Sequence, residues 1–190
     1  MRLGGSSALH DWQAEARLIA GFLEVGPNFP TEPGQTVTPG KVEAHGEASV
    51  NVRSLQSIHK DGAHYDDKMD QKMWEMLLQE KHPKITYHLS ELVLKVTPQD
   101  KGSPYIFDSQ GDLTVAGVTR KLSMPVNVIP LGETKGDKRV KISGSAPLKM
   151  SDFNISPAKI LFVKTADELT AKFEWVVGHK ATAAGTGTSK

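Results

Sequence analysis

Apolar and polar positions alternate along much of this chain, most clearly from Gly111 to Val128. There Leu113 and Val115 alternate with Asp112 and Thr114. After Ala116-Gly117-Val118-Thr119, the residues Leu122, Met124, Val126 and Val128 alternate with Lys121, Ser123, Pro125 and Asn127. A period of two marks a half-buried strand, so the segment predicts a β-hairpin with one apolar face, turned at Gly117 where a positive φ costs little. Pro125 cannot donate to a ladder, which predicts that its strand lies at an edge or is distorted there.

The same period predicts the other strands. Behind a few loose residues, Trp12, Ala14, Ala16 and Leu18 share one face of His10 to Leu18; Leu23 and Val25 follow after a change of phase near Gly21. Four prolines between Gly26 and Gly40 predict a surface loop. From Lys41 to Arg53 the inner positions are Val42, Ala44, Gly46, Ala48, Val50 and Val52. Ile85, Tyr87 and Leu89 open a strand that Leu92, Leu94 and Val96 continue on a shifted phase, and Tyr105 and Phe107 lead into the hairpin. Turns are predicted over Pro98 to Pro104 and Pro130 to Lys138. Val140, Ile142, Gly144, Ala146, Leu148 and Met150 then alternate again. Beyond an irregular piece from Ser151 to Ala166, Leu169, Ala171, Phe173, Trp175 and Val177 form the last strand. One segment has a different period: Met69, Met73, Met76 and Leu77, widened by Trp74 and Leu78, predict a helix at about 66–80, acidic at its start and stopped by Pro83.

About eight strands, each with one apolar face and joined mostly by short turns, make an all-β protein. An antiparallel sheet that closes on itself hides its apolar face and loses both edges, so an extended eight-stranded antiparallel barrel is expected, with the helix closing or flanking one end. A two-sheet sandwich fits the same pattern. The inner positions mix small residues (Ala44, Gly46, Ala48, Gly144, Ala146) with large ones (Phe107, Met124, Phe173, Trp175), which suits a tunnel narrowed at intervals as well as a filled core.

The 190 residues suit one domain, taken as 7–177, with an Ala-, Gly- and Thr-rich tail at 178–190 expected to be disordered. The net charge of +1 has no basic stripe, which argues against nucleic acid as a partner. The chain has no cysteine, so thiol chemistry and thiolate metal sites are excluded. No apolar run is long enough to span a bilayer, and MRLGGSSALHDW lacks the apolar core of a signal peptide. The protein is expected to be cytoplasmic, or exported with its signal removed.

Several pieces occur in the order seen in YceI-like proteins: Leu9-His10-Asp11-Trp12; Val52-Arg53-Ser54-Leu55; Met69 to Leu77 ahead of His82-Pro83-Lys84-Ile85-Thr86; Gly111 to Arg120; and Met150-Ser151-Asp152-Phe153-Asn154-Ile155. The chain resembles that family over roughly Ser7 to Val177, most specifically in Gly-x-Leu-Thr-x-x-Gly-Val-Thr-Arg. The loop from Ile58 to Tyr65 departs from it. The resemblance implies a lipocalin-like barrel with a tunnel for a polyisoprenoid, export to the periplasm or beyond, a possible homodimer and no enzymatic activity. It also implies that a polyisoprenoid or isoprenoid quinone is the bound molecule.

The expected function is therefore storage or transport of an isoprenoid lipid whose apolar tail lies in the tunnel. The candidate lining is Val50, Val52, Tyr87, Phe107, Leu113, Leu122, Met124, Phe173 and Trp175, with Trp74, Phe153 and Phe162 near an opening; each could equally be plain core. Two rivals remain open. One is a metal-dependent or hydrolytic enzyme using His59, Asp61, His64, Asp66 and Asp67, whose spacing matches no known cage. The other is a dimeric, stress-related structural module with an incidental cavity.

Overall fold

The computed structural model describes residues 1–8, 10–134, 137–157, 159–160 and 163–179, with residues 134, 159–160, 163–164 and 179 described by backbone alone. Its strands are Arg2–Ser7 (β1), Asp11–Glu15 (β2), Ala20–Val25 (β3), Gly40–Val42 (β4), Ala44–Asn51 (β5), Gln56–Ile58 (β6), Lys84–Val96 (β7), Tyr105–Val115 (β8), Val118–Thr134 (β9), Asp137–Lys149 (β10), Lys159–Ile160 (β11) and Val163–His179 (β12). One α-helix, Asp67–Met76 (α1), lies between β6 and β7, and short 3-10 turns cover Val52–Ser54 and Met150–Phe153. The strands form a single antiparallel sheet in the order β3-β5-β7-β8-β9-β10-β12-β1-β2-β6, with β4 beside β7 and β11 beside β12.

The sheet curls into a barrel that its ladders leave open. Its end strands β3 and β6 share no ladder among the described residues, so closure by hydrogen bonding, which the alternation led us to expect, does not occur. Ten strands in sequence along the sheet replace the predicted eight. The extra ones, β1 and β6, are short and carry too few apolar residues to show a period. β1 replaces the predicted loose start: Leu3 pairs with Ala14 on β2 and with Ala171 on β12. Gly5 is required there, because a Cβ on it would stand 2.5 Å from the Trp12 ring. The predicted Lys41–Arg53 strand is broken at Glu43 into β4 and β5.

The central hairpin forms as predicted, with a tighter turn. Val115 pairs with Val118 around Ala116 (φ 49°) and Gly117 (φ 80°), the two positive dihedrals of a type I′ turn. The His82 ring lies so close to Gly117 that a Cβ would meet it at 2.5 Å. Pro125 sits where the β9–β10 ladder stops, one residue before the last pair, Val126 with Gly144. The strand is thus interior over its second half and edge-like around the proline. β9 also runs on to Thr134, so most of the turn predicted at 130–138 is strand.

The helix is shorter than the periodicity predicts. Asp66 caps it, accepting from the Met69 N–H at 2.8 Å, and Leu78 ends it in the left-handed region at φ 53°. After Leu77, which is buried, come Leu78, itself exposed, and then only Gln79, Glu80 and Lys81. A further turn would bury nothing apolar, and propensity alone does not sustain one.

Two apolar clusters fill the two ends of the barrel. One gathers Val50, Val52, Leu55, Leu77, Ile85, Leu113, Met150 and Phe153 beside α1. The other gathers Phe29, Val37, Leu92, Leu94, Tyr105, Phe107, Val126 and Val140. Phe29, Pro30 and Val37 belong to the predicted surface loop, yet they are buried: Phe29 stacks on Phe107 with centroids 5.8 Å apart. The Tyr105 hydroxyl donates to the Gln35 carbonyl, and the Thr97 hydroxyl donates to the Val37 carbonyl at 3.0 Å, so the loop is fastened as a plug. Proline suits such a plug because it has no N–H to strand on burial. The segment predicted to be irregular after Ser151 contains β11 and the first residues of β12. Gly178 and His179, predicted as tail, end β12; residues 180–190 and Phe162 lie outside the described residues.

Candidate functional site: an apolar cavity inside the barrel

Between the two clusters the barrel holds a cavity of about 310 Å³. That volume stands at the lower end of the roughly 300–1,000 Å³ usual for small-molecule pockets. Space survives there because the wall carries small residues where strands approach: Gly46, Ala48, Ala146 and Ala171 all face it. The sheet supplies nearly the whole lining, from Leu3 and Trp12 on one flank to Leu23, Ile85, Leu122 and Phe173 on the others. Met69, Met73 and Met76 of α1 cover one end, so the flexible thioethers read from the helical stripe do face the lumen.

Of the predicted lining residues, Val50, Tyr87, Leu113, Leu122, Met124, Phe153, Phe173 and Trp175 border this cavity. Val52, Phe107 and Trp74 do not. Val52 and Phe107 are almost wholly buried and pack within the end clusters. Trp74 turns away along the helix: its Nε1 donates to the Leu55 carbonyl at 2.8 Å and the Arg53 guanidinium lies 5.8 Å from its ring. The sequence reading missed Leu3, Trp12, Ile19, Leu23, Phe29 and Ser109 as lining. Trp12 was already assigned to an inward face, and that face was the signal available for it.

The few polar groups at the wall are sharply placed. The Tyr87 hydroxyl lies 2.8 Å from the Ser109 hydroxyl, and burial pushes the Tyr87 pKa up, with the Ser109 hydrogen bond working weakly the other way. Among the described residues, Trp12 Nε1 is the buried side-chain polar atom with no hydrogen-bond partner. Lys72 and Lys149 reach the margin of the cavity, where Lys72 pairs with Glu75 at 3.1 Å and Lys149 with Glu168 at 3.8 Å.

The polar loop before α1 takes up its own side chains. His59 packs edge-on against Tyr65, Asp61 accepts from the Ala63 N–H, and Asp66 is the helix cap. His64 Nε2 lies 2.9 Å from Asp70 and 3.6 Å from Asp67, so these three ligand types stand together, Asp70 being one the sequence reading did not include. Asp70 is 2% exposed, and its other oxygen accepts from the Ser57 N–H at 2.6 Å. Both carboxylate oxygens are therefore engaged in fastening α1 to β6 and to the loop.

An open antiparallel barrel with an apolar cavity between its two clusters defines a lipocalin-like architecture. A family model described as YceI-like domain matches residues 14–177, and the chain belongs to that family. Three solved structures share the fold. Burkholderia cenocepacia BcnA is 17% identical, with 93% of this chain and 95% of that one covered and a TM-score of 0.62. A Campylobacter jejuni YCEI protein is 14% identical, with 88% and 85% covered and a TM-score of 0.59. A polyisoprenoid binding domain from Saccharophagus degradans, implicated in plant cell wall breakdown, is 12% identical, with 92% and 90% covered and a TM-score of 0.61. No curated protein matches the sequence.

Proposed function

We propose that the protein binds the apolar tail of a polyisoprenoid, a quinone or a related isoprenoid lipid, inside the barrel and carries or stores it away from water. The observation that carries this reading is the cavity itself, bounded by Leu, Met, Phe and Trp side chains with so few polar groups. Each methylene moved from water into such a site is worth about 0.8 kcal/mol, so even a partly inserted tail outweighs its ordering cost. A tail longer than the present cavity is accommodated by Met69, Met73, Met76 and Met124, whose side chains re-pack at little cost. The polyisoprenoid named for the Saccharophagus degradans domain is in keeping with this class of ligand. On this reading the protein acts by binding and not by catalysis, and works in the periplasm or outside the cell, where a lipid crossing water between membranes needs a shield.

The test is mass spectrometry of organic extracts from purified protein, beside an Ala146→Phe variant whose ring would occupy the lumen. Ala146 is 3% exposed and borders the cavity. Recovery of a stoichiometric isoprenoid from the parent and its loss from the variant is expected. A clean extract from both, after exposure to polyprenyl lipids, would overturn the reading.

A further inference from the structure

The cavity wall holds one pair of hydroxyls at its waist. Tyr87 belongs to the end of the barrel nearer α1; Ser109, 3% exposed, faces inward between Phe107 and Gly111 of β8, where the second cluster begins. The two oxygens are 2.8 Å apart. Each hydroxyl brings one hydrogen to donate. The bond between them uses one of the two hydrogens, whichever way it points. Among the described residues neither hydroxyl makes a second hydrogen bond, so one donor is left over.

The side chains that flank the pair in the ladders offer it no good acceptor. Register places Ala48 and Leu113 beside Tyr87, and Leu92 and Met124 beside Ser109. Of these side chains only the Met124 thioether is even a weak acceptor. An unspent O–H in so apolar a cavity carries a cost of the kind that proteins normally avoid. The geometry is also built for this placement. The Tyr87 phenol lies over Gly111, where a Cβ would come within 2.6 Å of its Cζ and 2.8 Å of its oxygen. The glycine lets the phenol lie along the wall, its oxygen beside Ser109 and the lumen left open. Burial raises the pKa of that phenol above its ordinary value, so the donor persists at physiological pH.

Resting on the reading of the barrel as an isoprenoid carrier, we propose that Tyr87 and Ser109 form a donor site for an acceptor oxygen of the bound lipid. The preferred ligand is then one with a carbonyl or hydroxyl oxygen that enters the barrel, and the hydrocarbon tail runs from the waist along the apolar wall. A lipid whose polar end stays wholly outside would leave the donor idle.

The experiment compares two probes with the same number of isoprene units, a polyprenyl benzoquinone and a pure polyprenyl hydrocarbon. Both are titrated against the full chain and a variant that carries Tyr87→Phe and Ser109→Ala together, with Ser109→Thr as the variant that keeps the hydroxyl. The double deletion is expected to weaken the quinone about three- to tenfold, since either hydroxyl alone still keeps one hydrogen to donate, with the hydrocarbon unchanged and Ser109→Thr close to the parent. The infrared carbonyl stretch of the quinone should also fall on binding to the parent protein, a reading that needs no variant. Equal losses for both probes, no loss for either, or an unshifted carbonyl would overturn the donor site while leaving the carrier reading intact. Failure of the parent to bind either probe would overturn both.

Discussion

Gly111 shows how much of the site depends on a single absent side chain. An alanine there would put its Cβ 2.3 Å from the His88 carbonyl oxygen and 2.6 Å from the Tyr87 ring. The carbonyl belongs to the neighbouring ladder and yields little; the ring yields only by swinging into the lumen. Gly111→Ala is therefore expected to cost about 1–3 kcal/mol, the usual penalty for overpacking, read as a lower midpoint in urea denaturation. It should also break the contact between Tyr87 and Ser109, so that the Tyr87 hydroxyl loses its partner. The sequence marks Gly111 only as a point on a strand, since a single chain gives no sign of which side chain will lie across it. Gly5 is the same case. It was read as part of a loose start, yet its missing Cβ is what lets the Trp12 ring settle against β1.

At the scale of elements, alternation and helical spacing were enough wherever one face of an element is buried along its whole length. β7, β8, β9 and β10 fall in this class, and even the bulge in β7 was visible as a phase shift that the ladder shows between Leu89 and Glu91. Elements whose role is to close an end were misread, because they bury a few residues without a period. The proline loop read as surface is a plug held through Phe29 and Phe107. The helix was legible as a stripe, but its fastening was not: Asp70 looked like one of several acidic residues at the helix start, and only the fold brings Ser57 and His64 to it. That fastening predicts a measurable cost. Asp70→Ala strands the Ser57 N–H in a site 2% exposed and releases His64, so a loss of about 1–3 kcal/mol is expected. Hydrogen exchange should rise first over α1 and β6, with β8 to β10 remaining protected until global unfolding. Uniform loss of protection would show that α1 is not a separately anchored cover.

For the whole molecule, barrel against sandwich was undecidable from the residues alone, because both bury one face of each strand. The strand order along the sheet settles it for a curled single sheet, and the order depends on β1 and β12 meeting across the chain's two ends. The same long-range pairing sets how stability answers to pH. Glu15 is held below the ordinary carboxylate range first by its hydrogen bond from Arg2, across the β1–β2 ladder. Lys138 does the same for Glu32, and Ser151 for Asp167. In each case the unfolded chain takes up protons at a higher pH than the folded one, so these contributions are present above about pH 4.5 and are lost as pH falls further. Burial moves Tyr87 and Tyr105 the opposite way, upward from 10.0. The unfolded chain then ionises its phenols first, and stability drops as pH rises beyond that value. Urea midpoints measured across pH should therefore fall along an acid limb, kept shallow because Glu32 and Asp167 face solvent, and again along an alkaline limb beyond 10.0. Glu15→Gln should flatten the acid limb and leave the alkaline limb in place. An alkaline limb that persists unchanged in a Tyr87→Phe, Tyr105→Phe double variant would mean that the two buried phenols do not control it.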